Sequence, residues 1–218
     1  MTNQEVLKKV DHTLLKQTAT QEQIMQLCDE AVAYSVASVC IPPSFVSAVK
    51  QRYGDKLSVC TVVGFPNGYN TTETKVFETT DAIKNGADEI DMVINVGWAQ
   101  EERYDLIEQE ISAVRQVTKG RVLKVIVETC FLTTRQKIKL CKVVADAKAD
   151  FIKTSTGFGS GGATRQDVEL FKKHIGDDVK IKASGGIKTL SDAQDFLNLG
   201  CERLGASSIV AEVKRQQS

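Results

Sequence analysis

Two lysines sit in settings that do not suit an ordinary surface amine. Lys153 lies in Asp150-Phe-Ile-Lys-Thr-Ser-Thr-Gly157, and Lys182 lies in Val179-Lys-Ile-Lys-Ala-Ser-Gly-Gly186. Apolar residues precede each, and small residues and glycine follow. Most lysines are exposed or snorkelling, which fits Lys84 or Lys137 on amphipathic stretches. It fits Lys153 poorly, because an apolar strand surrounds it. A lysine that attacks carbonyl carbon must first lose its proton. An unperturbed amine, with a pKa of about 10.4, is almost fully charged at neutral pH. Lowering that value by about three units takes roughly 4 kcal/mol of differential destabilisation of the cation. Burial supplies part, and a second ammonium supplies more. Lys153 is therefore read as a Schiff-base former and Lys182 as its electrostatic modulator. Strand parity alone leaves the two exchangeable, and leaves Lys180 open for the second role.

Imine chemistry at a carbon–carbon bond also needs a group that moves protons. Asp91, in Asp88-Glu-Ile-Asp-Met-Val-Ile-Asn95, is the candidate. Lys124 and Glu128 lie between Asp91 and Lys153 in the chain and are expected to form an ion-pair network holding both. Thr154 and Ser155, next to Lys153, count as supporting residues. Cys40 ends an apolar run before Ile41-Pro-Pro43; it either lines the same cavity or is a small buried residue. His12 reads as a hydrogen-bonded structural residue. Three glycine-rich turns follow, at Gly157-Phe-Gly-Ser-Gly-Gly162, Gly185-Gly186 and Gly205-Ala-Ser-Ser208. Glycine lets backbone N–H groups approach an anion, and a helix N-terminus favours negative charge. Gly157, Gly185, Gly186, Gly205, Lys188, Ser207 and Ser208 are thus the expected phosphate-binding residues. The implied ligand carries a carbonyl near Lys153 and a phosphate several ångströms away.

These residues must be carried by regular elements. β-branched runs predict strands near 11–16, 36–41, 57–64, 88–95, 121–129, 150–156, 179–184 and 203–206. Amphipathic stretches predict helices near 20–34, 43–52, 71–86, 99–118, 134–148, 165–175, 190–198 and 207–215, with an extra N-terminal helix over 3–9. Capping patterns at Thr20–Gln23, Asn70–Glu73, Thr133–Gln136 and Thr164–Asp167 mark helix starts; Gly86 and Gly200 mark stops. Side chains alternate across a strand. Glu89, Asp91 and Asn95 share one parity against Ile90, Met92 and Ile94. Lys124 and Glu128 oppose Val125 and Val127; Lys153 and Ser155 oppose Ile152 and Thr154; Lys182 and Ser184 oppose Ile181 and Ala183. An open sheet with helices on both faces would bury those charges against helices, at several kcal/mol or more each unless paired. A closed barrel turns them inward instead. The expected fold is α/β, a (β/α)₈ TIM barrel forming one domain over 1–218, with its site at the C-terminal ends of the strands.

Composition narrows the function. The chain has 218 residues, 42% hydrophobic and 26% charged, so a folded core is feasible. Lys+Arg and Asp+Glu both number 28, so no nucleic-acid surface is indicated. The start, MTNQEVLKKVD, reads as a polar helix rather than a signal peptide, and no apolar run reaches membrane-spanning length. The six cysteines form no CxxC pair, and there are only two histidines. Reduced thiols in a cytoplasmic protein are expected, with no structural zinc, no catalytic metal and no cofactor.

The sequence resembles the deoxyribose-phosphate aldolase family over essentially its whole length. The matching segments include Asp11-His-Thr-Leu-Leu-Lys16, Val39-Cys-Ile-Pro42, Val62-Val-Gly-Phe-Pro66, Asp88 to Asn95 and Leu123-Lys-Val-Ile-Val-Glu-Thr129. They continue through Asp150 to Gly157, Gly161-Gly-Ala-Thr164, Lys182-Ala-Ser-Gly-Gly-Ile187 and Gly205-Ala-Ser-Ser208. The resemblance implies metal-free, reversible cleavage of 2-deoxy-D-ribose 5-phosphate to D-glyceraldehyde 3-phosphate and acetaldehyde. It implies an imine on Lys153, with Lys182 and Asp91 assisting proton transfer. It also implies a cytoplasmic role in deoxynucleoside breakdown, as a homodimer or homotetramer. Some longer members end in a tyrosine; this chain ends Val213-Lys-Arg-Gln-Gln-Ser218, so no role for that tyrosine carries over. Two rival readings are a phosphosugar isomerase using acid–base residues without an imine, and a silent phospholigand-binding protein.

Overall fold

The computed structural model describes residues 1–217, with side chains to Gln216; Ser218, the end of the tail, lies outside the described residues. Helix starts are set by local hydrogen bonds. Thr20 and Gln23 form a reciprocal capping box ahead of helix α2 (Gln21–Tyr34), and Thr133 with Gln136 does the same for α7 (Thr134–Asp146). Thr2 with Glu5 caps the extra N-terminal helix α1 (Asn3–Leu7), and Thr189 with Asp192 caps α9 (Leu190–Leu199). The remaining long helices are α3 (Val46–Tyr53), α4 (Thr72–Lys84), α6 (Tyr104–Val117), α8 (Arg165–His174) and α10 (Ile209–Gln217).

Eight parallel strands close into a barrel in sequence order. They are β1 (Val10–Thr13), β2 (Ser38–Ile41), β3 (Val59–Val63), β4 (Glu89–Val93), β5 (Val122–Ile126), β6 (Phe151–Lys153), β7 (Lys180–Ser184) and β8 (Arg203–Ala206). Closure pairs β1 with β8, setting Asp11 opposite Gly205. One parity of each strand builds the main core. Ile90, Leu123, Ile152 and Leu204 are fully buried in the cluster that includes Ile107, Leu140, Val168 and Ala193 of the helices. The other parity faces the lumen. There Cys40, Cys60 and Val62 form a small separate apolar cluster, Ser38, Ile126 and Phe151 are buried on the same parity, and Asp11, Glu89, Asp91, Lys124, Lys153 and Lys182 supply the charge. The sheet is thus a closed cylinder, as the parity of its polar residues requires.

Several boundaries differ from the sequence expectation. The helix expected over 99–118 is two, α5 (Val96–Gln100) and α6, because Glu102 takes a left-handed conformation at φ 56 between them. Asn95 caps α5 through Trp98 N–H at 3.3 Å. The helix expected from 43 begins as a 3₁₀ turn over Pro43–Phe45. The cap of α4 is Thr71, which accepts from Thr74 N–H, one residue past the expected Asn70. The fifth strand stops at Ile126, because Glu128 is left-handed at φ 56 and ψ 67.

The division into shell and lumen is testable at Ile152. Truncation to alanine leaves a void beneath the helices, and the urea midpoint should report a loss of about 2–5 kcal/mol. A loss below about 1 kcal/mol would show that this face is not the packed one.

Candidate active site

Lys153 is the last residue of β6, and Lys182 sits directly across from it in β7. Neighbouring strands hold paired residues about 4.8 Å apart, so both side chains enter the same layer of the lumen. Both ammonium groups donate to one oxygen: Lys153 Nζ and Lys182 Nζ each lie 2.7 Å from Asp91 Oδ2. The second Asp91 oxygen accepts from Lys124 Nζ at 2.8 Å and from the Cys60 thiol at 3.1 Å. Lys124 also pairs with Glu89 at 2.6 Å, and Lys182 with Asp11. Arg203 closes the ring, 2.6 Å from Asp11 Oδ1 and 3.1 Å from Glu89 Oε2. Ser38 Oγ adds a hydrogen bond to Asp11 at 2.7 Å. Sequence reasoning assigned no role to Asp11, Glu89, Cys60 or Arg203. Asp11 and Glu89 carried a usable signal, since each sits on the polar parity of its strand.

Burial raises a carboxyl group's pKa and lowers an amine's. Here the partners outweigh it. Burial works against the charge on Asp91, yet Lys124, Lys153 and Lys182 hold its carboxyl well below the usual range. Asp11 is likewise depressed by Lys182, Lys124 and Arg203 against its own burial. Burial disfavours the Lys182 cation, but Asp11 and Asp91 push its pKa up; Lys124 is raised by Asp91 and its other acceptors in the same way. Asp11 and Asp91 therefore favour the cationic form of Lys182 beside Lys153. The Cys60 thiol hydrogen bond lowers Cys40, while burial raises Cys60.

The other expected residues divide. Lys124 joins Asp91, but Glu128 does not. The left-handed turn re-aims it, and its carboxylate takes the N–H and hydroxyl of Thr156. The expected Lys124–Glu128 network is corrected accordingly. Lys180 is half exposed and pairs loosely with Glu202 at 3.9 Å, which removes it from the second-lysine role. Thr154 Oγ1 donates to Ser184 O at 3.2 Å and ties the ends of β6 and β7. The buried Ser155 hydroxyl has no partner among the described residues. Cys40 is fully buried in the lumen, and His12 bonds Glu30 at 3.0 Å. Donor atoms of Cys40, Cys60 and Asp91, and of Asp11, Cys60 and Glu89, lie within 4.8 Å of one another. Their carboxylates are already committed to lysine and arginine, so a metal ion would have to displace ammonium groups.

A hollow of about 380 Å³ opens above Lys153 at the C-terminal ends of the strands. Gly157, Gly185, Gly186, Gly205 and Ser207 line it. The close approach of two turns demands glycine: a Cβ on Gly162 would lie 2.3 Å from Gly185 O. Lys188 and Ser208 do not line the hollow, which corrects their expected place. Ser208 Oγ instead donates to Lys188 O at 2.9 Å, and Lys188 N–H donates to Asp192.

A closed (β/α)₈ barrel with a charged floor and an open C-terminal mouth is the architecture of a barrel enzyme. The DeoC/LacD family aldolase model matches residues 5–207. The chain is 53% identical over 218 residues to a deoxyribose-phosphate aldolase of Clostridium botulinum, covering 100% of this chain and 99% of that one. It is 54% identical over 213 residues to one from Clostridioides difficile, covering 98% and 97%. Among solved structures, a tetrameric deoxyribose phosphate aldolase from Aeropyrum pernix superposes with a TM-score of 0.92 at 27% identity, covering 100% of this chain and 93% of that one. The chain belongs to the DeoC/LacD aldolase family and is a carbon–carbon lyase.

Asp91→Asn removes the negative charge that three buried ammonium groups share, and one of the two oxygens that accept from them. Denaturant unfolding should show a loss of about 3–5 kcal/mol. The pH response should change as well. Carboxylates with depressed folded pKa values stabilise the fold above their unfolded value of about 3.9 and lose that contribution as pH falls through the folded value. The wild-type acid limb should therefore be steeper than that of Asp91→Asn, and equal limbs would contradict the assignment.

Proposed function

We propose that this aldolase cleaves 2-deoxy-D-ribose 5-phosphate reversibly to D-glyceraldehyde 3-phosphate and acetaldehyde, through an imine on Lys153. One observation carries the reading: Lys153, at the base of the hollow, shares a single Asp91 oxygen with the Lys182 ammonium. Lys153 attacks the C1 aldehyde of the open-chain sugar as a free amine, giving a carbinolamine. Loss of water gives the iminium ion. The 3-hydroxyl then gives up its proton, the C2–C3 bond breaks, and its electron pair flows into the iminium. Glyceraldehyde 3-phosphate leaves. Protonation of the enamine at C2 and addition of water release acetaldehyde and regenerate the amine.

The lumen supplies what these steps require. Asp91 contacts both lysine ammonium groups and so offers a route for protons between Lys182 and the carbinolamine. Asp11, Glu89 and Arg203 act as positioning residues, because they hold Lys182 and Lys124 rather than the substrate. Thr154 positions Lys153 by fixing the end of β6 against β7. The glycine turns over the hollow present backbone donors to the phosphate. Identity of 53% and 54% over nearly the full length of two deoxyribose-phosphate aldolases supports the choice of substrate.

Borohydride added in the presence of acetaldehyde should fix one ethyl group on Lys153, located by peptide mass spectrometry. Lys153→Met should form no adduct and lose turnover by at least about 10³-fold, the scale of losing an essential nucleophile. An adduct confined to Lys182, or none in the active wild type, would sink the imine assignment.

A further inference from the structure

The floor of the hollow is crowded with charge, but its rim is not. Among the residues lining the hollow, two are cationic, Lys153 below and Lys16 above, and none is a carboxylate. Lys16 follows β1. Because β1 pairs with β8, with His12 opposite Ala206, the chain leaving β1 runs beside Ser207 at the end of β8. Backbone pairing continues past the strand, since Leu14 N–H donates to Cys40 O at 3.0 Å. Thr13, Leu14, Leu15 and Lys16 therefore form one wall, facing the turns at Gly185–Gly186 and Gly205–Ser207. Lys16 is exposed, and among the described residues its ammonium has no carboxylate partner.

We propose that Lys16 is the cation that recognises the phosphate and sets the preference for phosphorylated over unphosphorylated sugar. This rests on the phosphosugar reading above and adds a residue to it. The glycine turns supply N–H donors without net charge. A phosphate dianion leaving water needs compensating charge as well as donors. Lys153 cannot supply it, because it must be uncharged to attack, and its later iminium charge sits at the aldehyde carbon and is consumed as the C2–C3 bond breaks. Lys188 lies outside the hollow's lining. Lys16 is the remaining cation of the lining, exposed to solvent where the imine-forming amine is buried. The two lysines then fix the two ends of the substrate, aldehyde below and phosphate above.

The test compares kcat/KM for 2-deoxy-D-ribose 5-phosphate with that for 2-deoxy-D-ribose, in wild type, Lys16→Gln and Lys16→Arg. In Lys16→Gln the preference for the phosphorylated sugar should fall about ten-fold, mainly through KM, as expected for one charge-assisted contact. Competitive inhibition by inorganic phosphate should weaken similarly. Lys16→Arg should retain most of the preference. Rising ionic strength should erode the preference in wild type and much less in Lys16→Gln. An unchanged preference in Lys16→Gln, or equal losses on both sugars, overturns the proposal. Acetaldehyde trapping on Lys153 uses no phosphate, so its failure would count against the imine reading instead.

Discussion

Everything in the lumen answers to one carboxylate. Asp91 is fully buried, yet it accepts from three ammonium groups and a thiol. An unpaired charge at that depth would cost several kcal/mol, and Lys124 and Lys182, which share Asp91, each reach a further acid. Glu89 serves Lys124, Asp11 serves Lys182, and Arg203 bridges the two acids. Three acids, Asp11, Glu89 and Asp91, thus face four cations, Lys124, Lys153, Lys182 and Arg203. Lys153 is the member of this set with Asp91 as its single carboxylate partner. With Lys153 as a free amine the charges balance. The proposed iminium would add one positive charge to that set, next to Asp91.

Only a closed barrel can assemble this set. Lys182 and Asp11 are 171 residues apart, and Arg203 and Asp11 are 192 apart. They meet because β1 and β8 complete the cylinder. The same closure joins the loop after β1 to the turn after β8, so one topological fact builds both the charged floor and one wall of the mouth. The register matters as much as the order. A shift of one residue in β7 would send Lys182 under the helices and bring Ile181 or Ala183 into the lumen.

Parity made the floor legible in the sequence. Asp91, Lys124, Lys153 and Lys182 each alternate with residues now buried beneath the helices, and that alternation is a local property. What the sequence concealed was non-local or depended on single backbone angles. Asp11 could be placed on a strand but not matched to Lys182, because nothing local links residues at opposite ends of the chain. Glu128 shares the parity of Lys124 in the sequence, but one left-handed residue broke the alternation and turned its carboxylate to Thr156. Lys188 lies two residues past Gly186 and looked suited to an anion, yet the lining of the hollow ends at Ile187 in this turn. Lys16 stands out in the sequence only as the end of Asp11-His-Thr-Leu-Leu-Lys16, since a lysine on a loop has no periodicity to give it away.

The separation of floor from mouth also bears on how a substrate with two reactive ends is oriented. A phosphate pressed toward Lys153 would approach Asp91, Asp11 and Glu89 as well as the lysines. Repulsion from those fixed acids would offset much of the attraction to the cations. An aldehyde carries no charge and meets no such penalty. The lumen can therefore hold four cations without becoming an anion trap, because its acids are locked in place by the same contacts that keep the lysines apart. For the proposed phosphosugar, this asymmetry would send the neutral carbonyl down to the amine and leave the anion at the rim, beside the glycine turns.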